Sequence, residues 1–288
     1  MKSIKYTIAC LAVAIGFSSC EKDIDVALPS AESEIVVEAY INQLDPLFNY
    51  VILTRSVDYF NPNVNVISVS GAQVYITEGQ ANGKDTVWDT ANKKQLVEIA
   101  PDSIPGIYFN FGLTGKIGYV YKLEIDVEGK HIFGVTTIPQ LVPLDSITSS
   151  FRVNPDNNKD TGYFMTIHFF EPLATGNNYR YMYRIGADTA YFGWGSISDD
   201  YGVFNDETIN GVYRSFTFGR RFGFSDTVNF YLNSVDRPAY NFWDSYDDAR
   251  FNGGPFATPV QLKSTVRGAI GSFTGMAVSK RRLILTPR

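Results

Sequence analysis

The chain has 288 residues, of which 15% are aromatic and 19% charged, and its formal net charge is −5 at pH 7. An acidic chain without a basic run disfavours nucleic-acid partners, because its charge repels the phosphate backbone. The two cysteines, Cys10 and Cys20, both lie near the N-terminus. No disulfide is therefore expected in the folded part.

Residues 1–19 have the pattern of a secretion signal. Two lysines precede an apolar run over residues 8–17, and two serines then lead to Cys20. Basic, apolar and small residues in this order are the three parts of a signal peptide. The run is shorter than the roughly 20 residues that span a bilayer. We expect a lipoprotein signal peptide and a lipid on Cys20, which would attach the chain to the outer membrane; an ordinary signal peptide with an incidental cysteine is the alternative.

Charged residues follow the cysteine directly: Glu21, Lys22, Asp23 and Asp25. This tag resembles the export signal of Bacteroidota surface lipoproteins, which directs them to the outer leaflet of the outer membrane. A solvated tether without an address is the alternative. Because residues 20–33 hold many charges and few apolar side chains, we expect them to form an acylated flexible stalk.

Residues 34–139 show the alternation of apolar and polar side chains that predicts β-strands. The expected strands are 35–42, 50–57, 72–78, 85–89, 95–99, 106–111, 118–127 and 131–138. Glu128 and Gly129 lie between two alternating runs and predict a hairpin turn. This number of short strands predicts an all-β fold that begins with an immunoglobulin-like antiparallel sandwich.

Pro139 and Pro143 favour an extended connection, and we place a domain boundary between them. Residues 144–288 predict a second antiparallel β-domain, rich in aromatic residues. Its expected strands are 146–153, 163–170, 179–185, 212–218, 227–235 and 276–285. Residues 189–208 show no clear period and predict a long loop, the kind of segment that often carries binding residues on a β scaffold.

One short helix is predicted near residues 238–250. Asp236 before Pro238 is typical of a helix start. Four apolar residues then recur at helical spacing on one face: Ala239, Phe242, Trp243 and Tyr246. We interpret this face as packed on the sheet, with a ligand-binding aromatic box as the alternative.

Ten short segments in a fixed order carry a family resemblance. They are residues 20–25, 35–41, 50–56, 70–74, 106–108, 138–139, 144–147, 177–181, 252–256 and 268–273. Together they resemble the lipoproteins called domain of unknown function 4249 (DUF4249). The resemblance implies a Bacteroidota outer-membrane lipoprotein, often encoded near a TonB-dependent receptor. It implies no reaction and no catalytic residues.

Residues suited to catalysis are few. The two histidines, His131 and His168, lie in strands of different predicted domains, so a two-histidine metal site is not expected. The His168 side chain should point away from the side of its strand that carries Ile167 and Phe169. The folded part has no cysteine nucleophile, and no Gly-x-Ser-x-Gly, P-loop or zincin motif occurs in the sequence.

Acidic residues leave two weaker alternatives open. Paired carboxylates could support a hydrolase, and the pairs are Asp199, Asp200, Asp206 and Glu207. Calcium, which takes oxygen ligands, is an alternative at these residues or at Asp156, Asn157, Asn158 and Asp160, although the EF-hand spacing is absent. Our expectation is no catalytic residue, no metal and no cofactor.

Aromatic residues are the stronger functional signal, since 27 of the 42 lie from Leu144 onward. Exposed aromatic side chains bind sugars, peptides or proteins because they give large contact area at low entropic cost. The candidate binding residues, all in the predicted loop, are Tyr191, Trp194, Tyr201 and Phe204. Packing of this loop on its own domain is the alternative.

These features predict a surface-exposed, non-catalytic outer-membrane lipoprotein. We expect it to bind a ligand or to dock as an accessory subunit on a TonB-dependent transporter. A structural or adhesive surface module is the alternative, and a carboxylate-based hydrolase is a weaker one.

Overall fold

The computed structural model describes residues 33–57, 67–153, 161–186, 201–223, 226–252 and 258–286. The predicted signal peptide, the charged tag and nearly all of the stalk lie outside these residues. So do the calcium candidates at residues 156–160, the acids Asp199 and Asp200, and the aromatic residues Tyr191 and Trp194.

Strands make up most of the described chain, and one α-helix, α1 (Arg237–Phe251), occurs within it. The strands are β1 (Ile35–Asn42), β2 (Tyr50–Arg55), β3 (Gln73–Asn82), β4 (Asp85–Trp88), β5 (Lys94–Glu98), β6 (Ile107–Phe109), β7 (Val120–Val127), β8 (Lys130–Thr137), β9 (Leu144–Arg152), β10 (Gly162–Phe170), β11 (Asn178–Ile185), β12 (Tyr201–Asn205), β13 (Tyr213–Phe222), β14 (Thr227–Val235), β15 (Val266–Arg267) and β16 (Ile270–Ile284). The predicted all-β fold with one short helix is confirmed.

The described residues form two sheets. A 13-stranded sheet has the order β12-β11-β14-β16-β1-β2-β6-β5-β3-β7-β8-β15, with β4 paired to β3, and a three-stranded sheet has the order β13-β10-β9. Nearly all neighbours are antiparallel. The predicted hairpin at Glu128 and Gly129 is confirmed, because both residues have positive φ (52° and 75°) and join the paired strands β7 and β8.

Strands β1 and β16 pair in parallel, from Val36 opposite Ile270 to Asn42 opposite Met276. Gly271 lies in this pair with φ 138°, and a Cβ there would overlap the carbonyl oxygen of Val37. Only glycine therefore allows the two backbones to approach so closely. The pairing places strands from both predicted β-domains in one sheet.

The buried side chains form three groups. The first core lies among the strands before residue 139 and also includes Val266, Phe273 and Ala277. The second core lies between the three-stranded sheet and one face of β11 and β14. The third cluster lies on the opposite face of β11 and β14, beneath α1. The second half is thus layered as sheet, sheet and helix, and the predicted division at residues 139–143 stays a prediction.

Helix α1 begins where its sequence predicts. The Asp236 carboxylate accepts a hydrogen bond from the backbone N–H of Ala239 at 2.9 Å, which caps the first turn. Its other oxygen accepts bonds from the Thr136 hydroxyl and the Thr137 N–H, both at 2.8 Å. The same side chain therefore starts the helix and attaches it to β8.

The prediction of a loop through residues 189–208 is wrong at its C-terminal end. Residues Tyr201–Asn205 form β12, which pairs with β11 from Tyr201 opposite Met182 to Asn205 opposite Asn178. The strand extends the edge of the large sheet. The backbone hydrogen bonds to β11 stabilise a segment in which strand-forming Tyr201, Val203 and Phe204 are mixed with glycine and asparagine.

Candidate functional site

A pocket of about 330 Å³ lies between α1 and the face of the large sheet that the helix covers. Its lining comes from β1, β2, β11, β16 and α1. Small-molecule sites usually occupy about 300–1,000 Å³, so this pocket has room for one small ligand.

The alternation of side chains along β1 and β2 determines which residues line the sheet side of the pocket. In β1, Val37 and Ala39 point into the first core, so Glu38 and Tyr40 point to the helix side. In β2, Val51 points into the first core and Tyr50 points to the pocket. The Tyr40 and Tyr50 rings meet edge to face with centroids 5.4 Å apart.

Helix α1 supplies the opposite wall. Phe242 and Trp243 are buried against the sheet, while Tyr246, one turn further along, is 37% exposed at the mouth of the pocket. The Trp243 ring is nearly parallel to the Tyr40 ring, with centroids 6.3 Å apart, and its Nε1–H donates to the Thr274 hydroxyl at 3.2 Å. The predicted packing of this helical face on the sheet is therefore found, and the same face lines the pocket.

A polar relay crosses the apolar lining. The guanidinium of Arg180, only 4% exposed, lies 3.5 Å from the Trp243 ring centroid. It donates to the Tyr40 hydroxyl at 3.2 Å, and that hydroxyl donates to Glu38 Oε1 at 2.8 Å. The aromatic face stabilises the buried cation, and the relay fixes the direction of each donor.

Burial moves the pKa values of the pocket hydroxyls still further above neutral pH. It raises the pKa of Tyr40 well above the ordinary tyrosine value, although Arg180 opposes the rise. It also raises the pKa of Tyr50. Both hydroxyls therefore stay protonated at neutral pH and act as hydrogen-bond donors. The arrangement suits a flat, largely apolar ligand with polar groups at its edge.

A second cavity of about 340 Å³ lies within the second core. Its lining includes Phe169, Tyr181, Phe204, Phe218 and Arg214. The Tyr181 and Phe218 rings meet edge to face at 5.1 Å. This cavity is separated from the pocket under α1 by the thickness of the large sheet.

The family model described as Domain of unknown function (DUF4249) matches residues 21–282. The chain belongs to this family. A search of curated proteins found no match. Within the part of this DUF4249 protein that the structure describes, no helix has the length and hydropathy to cross a membrane. The same residues bring together no group of three or more histidine, cysteine, aspartate or glutamate side chains that could hold a metal.

The aromatic residues predicted to bind are only partly described in this DUF4249 protein. Cys20, the charged tag, Tyr191 and Trp194 lie outside the described residues, and for Tyr201 only its place in β12 is described. The half-buried Phe204 stacks on Tyr179 with centroids 4.8 Å apart and lines the second cavity. It thus lies away from the pocket under α1.

Of the four acidic residues considered for a hydrolase, Asp199 and Asp200 lie outside the described residues, and Asp206 and Glu207 differ in burial. Asp206 is buried and accepts a hydrogen bond from the Asn177 N–H at 2.9 Å. Glu207 is exposed and forms an ion pair with Arg237 at 3.3 Å. Because the first carboxylate points inward and the second outward, these two do not face a common substrate.

The histidines also lie apart from the pocket. His168 points away from the buried Ile167 and Phe169, as its place in the strand predicts. Its ring nitrogens lie 2.8 Å from the Thr148 and Ser215 hydroxyls. His131 is exposed on β8, 2.7 Å from Asp126.

The pocket residues Tyr40, Tyr50 and Arg180 were missed by sequence reasoning. A sequence signal for the two tyrosines does exist. Each tyrosine alternates with the aliphatic core residues of its strand and therefore points to the opposite face of the sheet. Large aromatics at such positions need a second covering layer, which α1 provides.

Proposed function

We propose that this DUF4249 protein is a lipid-anchored, surface-exposed outer-membrane protein of Bacteroidota type that binds a small ligand without catalysis. The observation that carries the proposal is the pocket under α1. Its aromatic walls and its few oriented polar groups are the usual composition of a ligand site. Its polar groups form a fixed relay rather than a nucleophile beside a base, which supports binding over reaction.

Ligand binding is tested by titrating the full chain with a panel of small planar aromatic compounds that carry polar substituents while tryptophan fluorescence is recorded. Tyr246→Ala removes an exposed ring at the mouth and should weaken the best binder about tenfold or more, as an interface anchor does. Phe251→Ala is the matched control, because this residue of the same helix is 75% exposed and does not line the pocket. Equal affinities for the two variants would place the binding elsewhere.

The lipid anchor is tested separately. Cys20→Ser should move the protein from the membrane fraction to the soluble fraction and remove the lipid mass from the N-terminus. Unchanged membrane association would contradict the anchor. Ligand binding is measured on the same variant, so loss of the anchor and loss of the pocket are distinguishable.

Surface export is tested by replacing Glu21, Lys22, Asp23 and Asp25 with alanine. If these charges are the export signal, external protease on intact cells should digest the wild type and spare the variant. Equal digestion of both forms would leave the charges as a tether only.

Docking on a TonB-dependent transporter is the second candidate function, and an exposed apolar patch favours it. Phe170 and Tyr213 are directly paired across β10 and β13 and are 51% and 57% exposed. Leu173 and Val212 beside them are 78% and 43% exposed. Contiguous exposed apolar side chains are typical of protein interfaces.

The double variant Phe170→Ser, Tyr213→Ser should lose co-purification with a large outer-membrane barrel protein. Phe111→Ser is the control, since Phe111 is 71% exposed but follows β6, away from the patch. Barrel capture that survives the double variant would exclude this patch. A chain that captures neither a barrel nor any panel ligand would favour the structural or adhesive module.

A further inference from the structure

Three neighbouring strands place Arg184, Asn229 and Arg282 in one row. Arg184 on β11 lies directly opposite Asn229 on β14, and Asn229 lies directly opposite Arg282 on β16. Directly opposed residues of antiparallel strands point to the same face, with Cβ atoms about 5 Å apart. Two guanidinium groups therefore flank one amide.

The row lies on the face of the large sheet that also carries α1. Tyr231, two residues after Asn229, belongs to the third cluster under the helix, whereas Val228 and Phe230 belong to the second core. On the same face the ammonium of Lys280 lies 5.3 Å from the Tyr231 ring centroid. This face thus concentrates positive charge in a chain whose net charge is −5.

Asn229 is the unusual member of the row. It is 1% exposed, and within the described part of the chain neither its side-chain oxygen nor its side-chain nitrogen has a hydrogen-bond partner. A buried amide without partners is unfavourable for folding. A bound ligand or ion that supplies the missing hydrogen bonds would remove this cost. The Asn229 side chain projects from the same face of the sheet as the side chains of the two arginines.

Arg282, directly opposite Asn229, provides an exposed positive charge beside the buried amide. The side chain is exposed, and the described residues offer it no hydrogen bond and no ion pair. Its neighbour Arg281 points to the other face, where its Nε–H donates to the Asp145 carbonyl at 3.4 Å. Adjacent arginines on one strand therefore differ in environment, which gives a natural control.

We propose that Arg282 and Asn229, with the positive charge of the buried Arg184 beside them, bind an oxyanion, either a carboxylate or a phosphate group. The planar guanidinium fork matches both groups with two parallel N–H···O bonds, and the Asn229 amide adds a neutral donor. The row lies four residues along the strands from Arg180, about 13 Å from the pocket relay at the usual rise per residue. It is thus a second site, beyond the ligand pocket.

The test is a thermal melt of the full chain with added phosphate, succinate or chloride at equal ionic strength. Phosphate or succinate should raise Tm in a saturable way, and chloride should not. The better of the two oxyanions identifies the ligand class. No saturable rise with either would overturn the proposal.

Arg282→Gln should raise the apparent Kd for the better oxyanion at least tenfold, and the control Arg281→Gln should leave it within twofold. An equal loss in both variants would mean a general charge effect and would overturn the site.

Asn229→Leu removes the amide but keeps the number and branching of the side-chain heavy atoms. Without an added oxyanion the variant should melt at or above the wild-type temperature, because an unpaired buried amide has been removed, and its response to the oxyanion should be lost. A lower Tm with the oxyanion response intact would show that Asn229 serves the fold alone, which would overturn the proposal.

Discussion

The first core is built from different side chains than the second core and the third cluster. Aromatic residues make up three of the 21 buried residues of the first core, and 13 of the 26 in the second core and third cluster together. Branched aliphatic side chains fill a sheet interface densely in few rotamers. Large planar rings leave spaces between them and bring hydroxyl groups inside.

Buried polar atoms without a hydrogen-bond partner also differ between the two halves of the chain. Glu171, Asn229, Asn233 and Asp247 each have a buried side-chain atom without a partner in the described structure, and all four lie after residue 170. The first core gives the molecule a regular frame. The second core and the third cluster line the two cavities described above, and the second half of the chain carries these unpaired groups; both are features that ligand sites need and that stability alone disfavours.

The largest loss of unfolding free energy is expected at the junction between the two regions, where β1 pairs with β16. Gly271→Ala combines a positive-φ backbone with overlap of the Val37 carbonyl, and we expect a loss of about 4 kcal/mol in unfolding free energy. Gly129→Ala is the control, because φ there is 75° and the space around it is open. Similar urea midpoints for both variants would show that the β1–β16 contact adds little.

Paired core truncations should show whether the two regions unfold together. Phe230→Ala in the second core should cost about 3–5 kcal/mol and Leu123→Ala in the first core about 2–5 kcal/mol, since both side chains are fully buried. If the sheet couples the regions, each variant shifts one common thermal transition. Two thermal transitions, each shifted by only one of the variants, would show that the two regions unfold independently and are divided at residues 139–143.

The pH dependence of stability should come from the aromatic half. Burial raises the pKa of the Glu171 carboxyl, and Asp206 adds to the rise, while hydrogen bonds from Tyr179 and Asn177 oppose it. The native state therefore holds this proton above the pH at which the unfolded chain releases it. Stability from this group is complete below the ordinary glutamate pKa and falls as pH rises through the raised value.

Glu171→Gln keeps an oxygen acceptor and removes the titration, so its urea midpoint should fall less than that of the wild type between pH 4 and pH 8. Glu207→Gln, at an exposed residue, controls for the change in net charge. An identical pH slope in wild type and Glu171→Gln would refute the expectation.

The smallest loss of unfolding free energy is expected for an ion pair at the surface of the first region. Arg55 and Glu128 form an ion pair while 30% and 46% exposed. Arg55→Gln should cost less than about 1 kcal/mol, and the cost should shrink with added salt. A loss that is larger and independent of salt would mean that polar pairs also stabilise the aliphatic half.

Local patterns predicted the individual elements well. The strand at Thr227–Val235 was predicted with its bounds, and Asp236 with Pro238 marked the start of α1, because alternation and capping are properties of adjacent residues. Two described strands, β12 and the two-residue β15, were missed, and β16 begins six residues before the predicted start; β12 has no clear alternation of its own and depends on β11 for its hydrogen bonds.

The pocket could not be predicted in the same way. Tyr40 and Tyr50 were visible as strand residues, but Arg180 and Trp243 reach them only through the order of strands in the sheet and the position of the helix. Pairing between distant strands leaves no mark on local periodicity. The row at Asn229 is hidden for the same reason, since it exists only through cross-strand register.

The parallel pairing of β1 with β16 also constrains the order of assembly. Gln43, next to β1, donates to the Val278 carbonyl across 235 residues of chain. During synthesis, β1 emerges early and lacks this neighbour until nearly all of the chain has followed. Such long-range closure is slow and leaves a strand edge open to wrong partners. A chain shortened before β16 should therefore leave β1 unpaired on that edge, and proteases or chaperones would recognise it as unfinished.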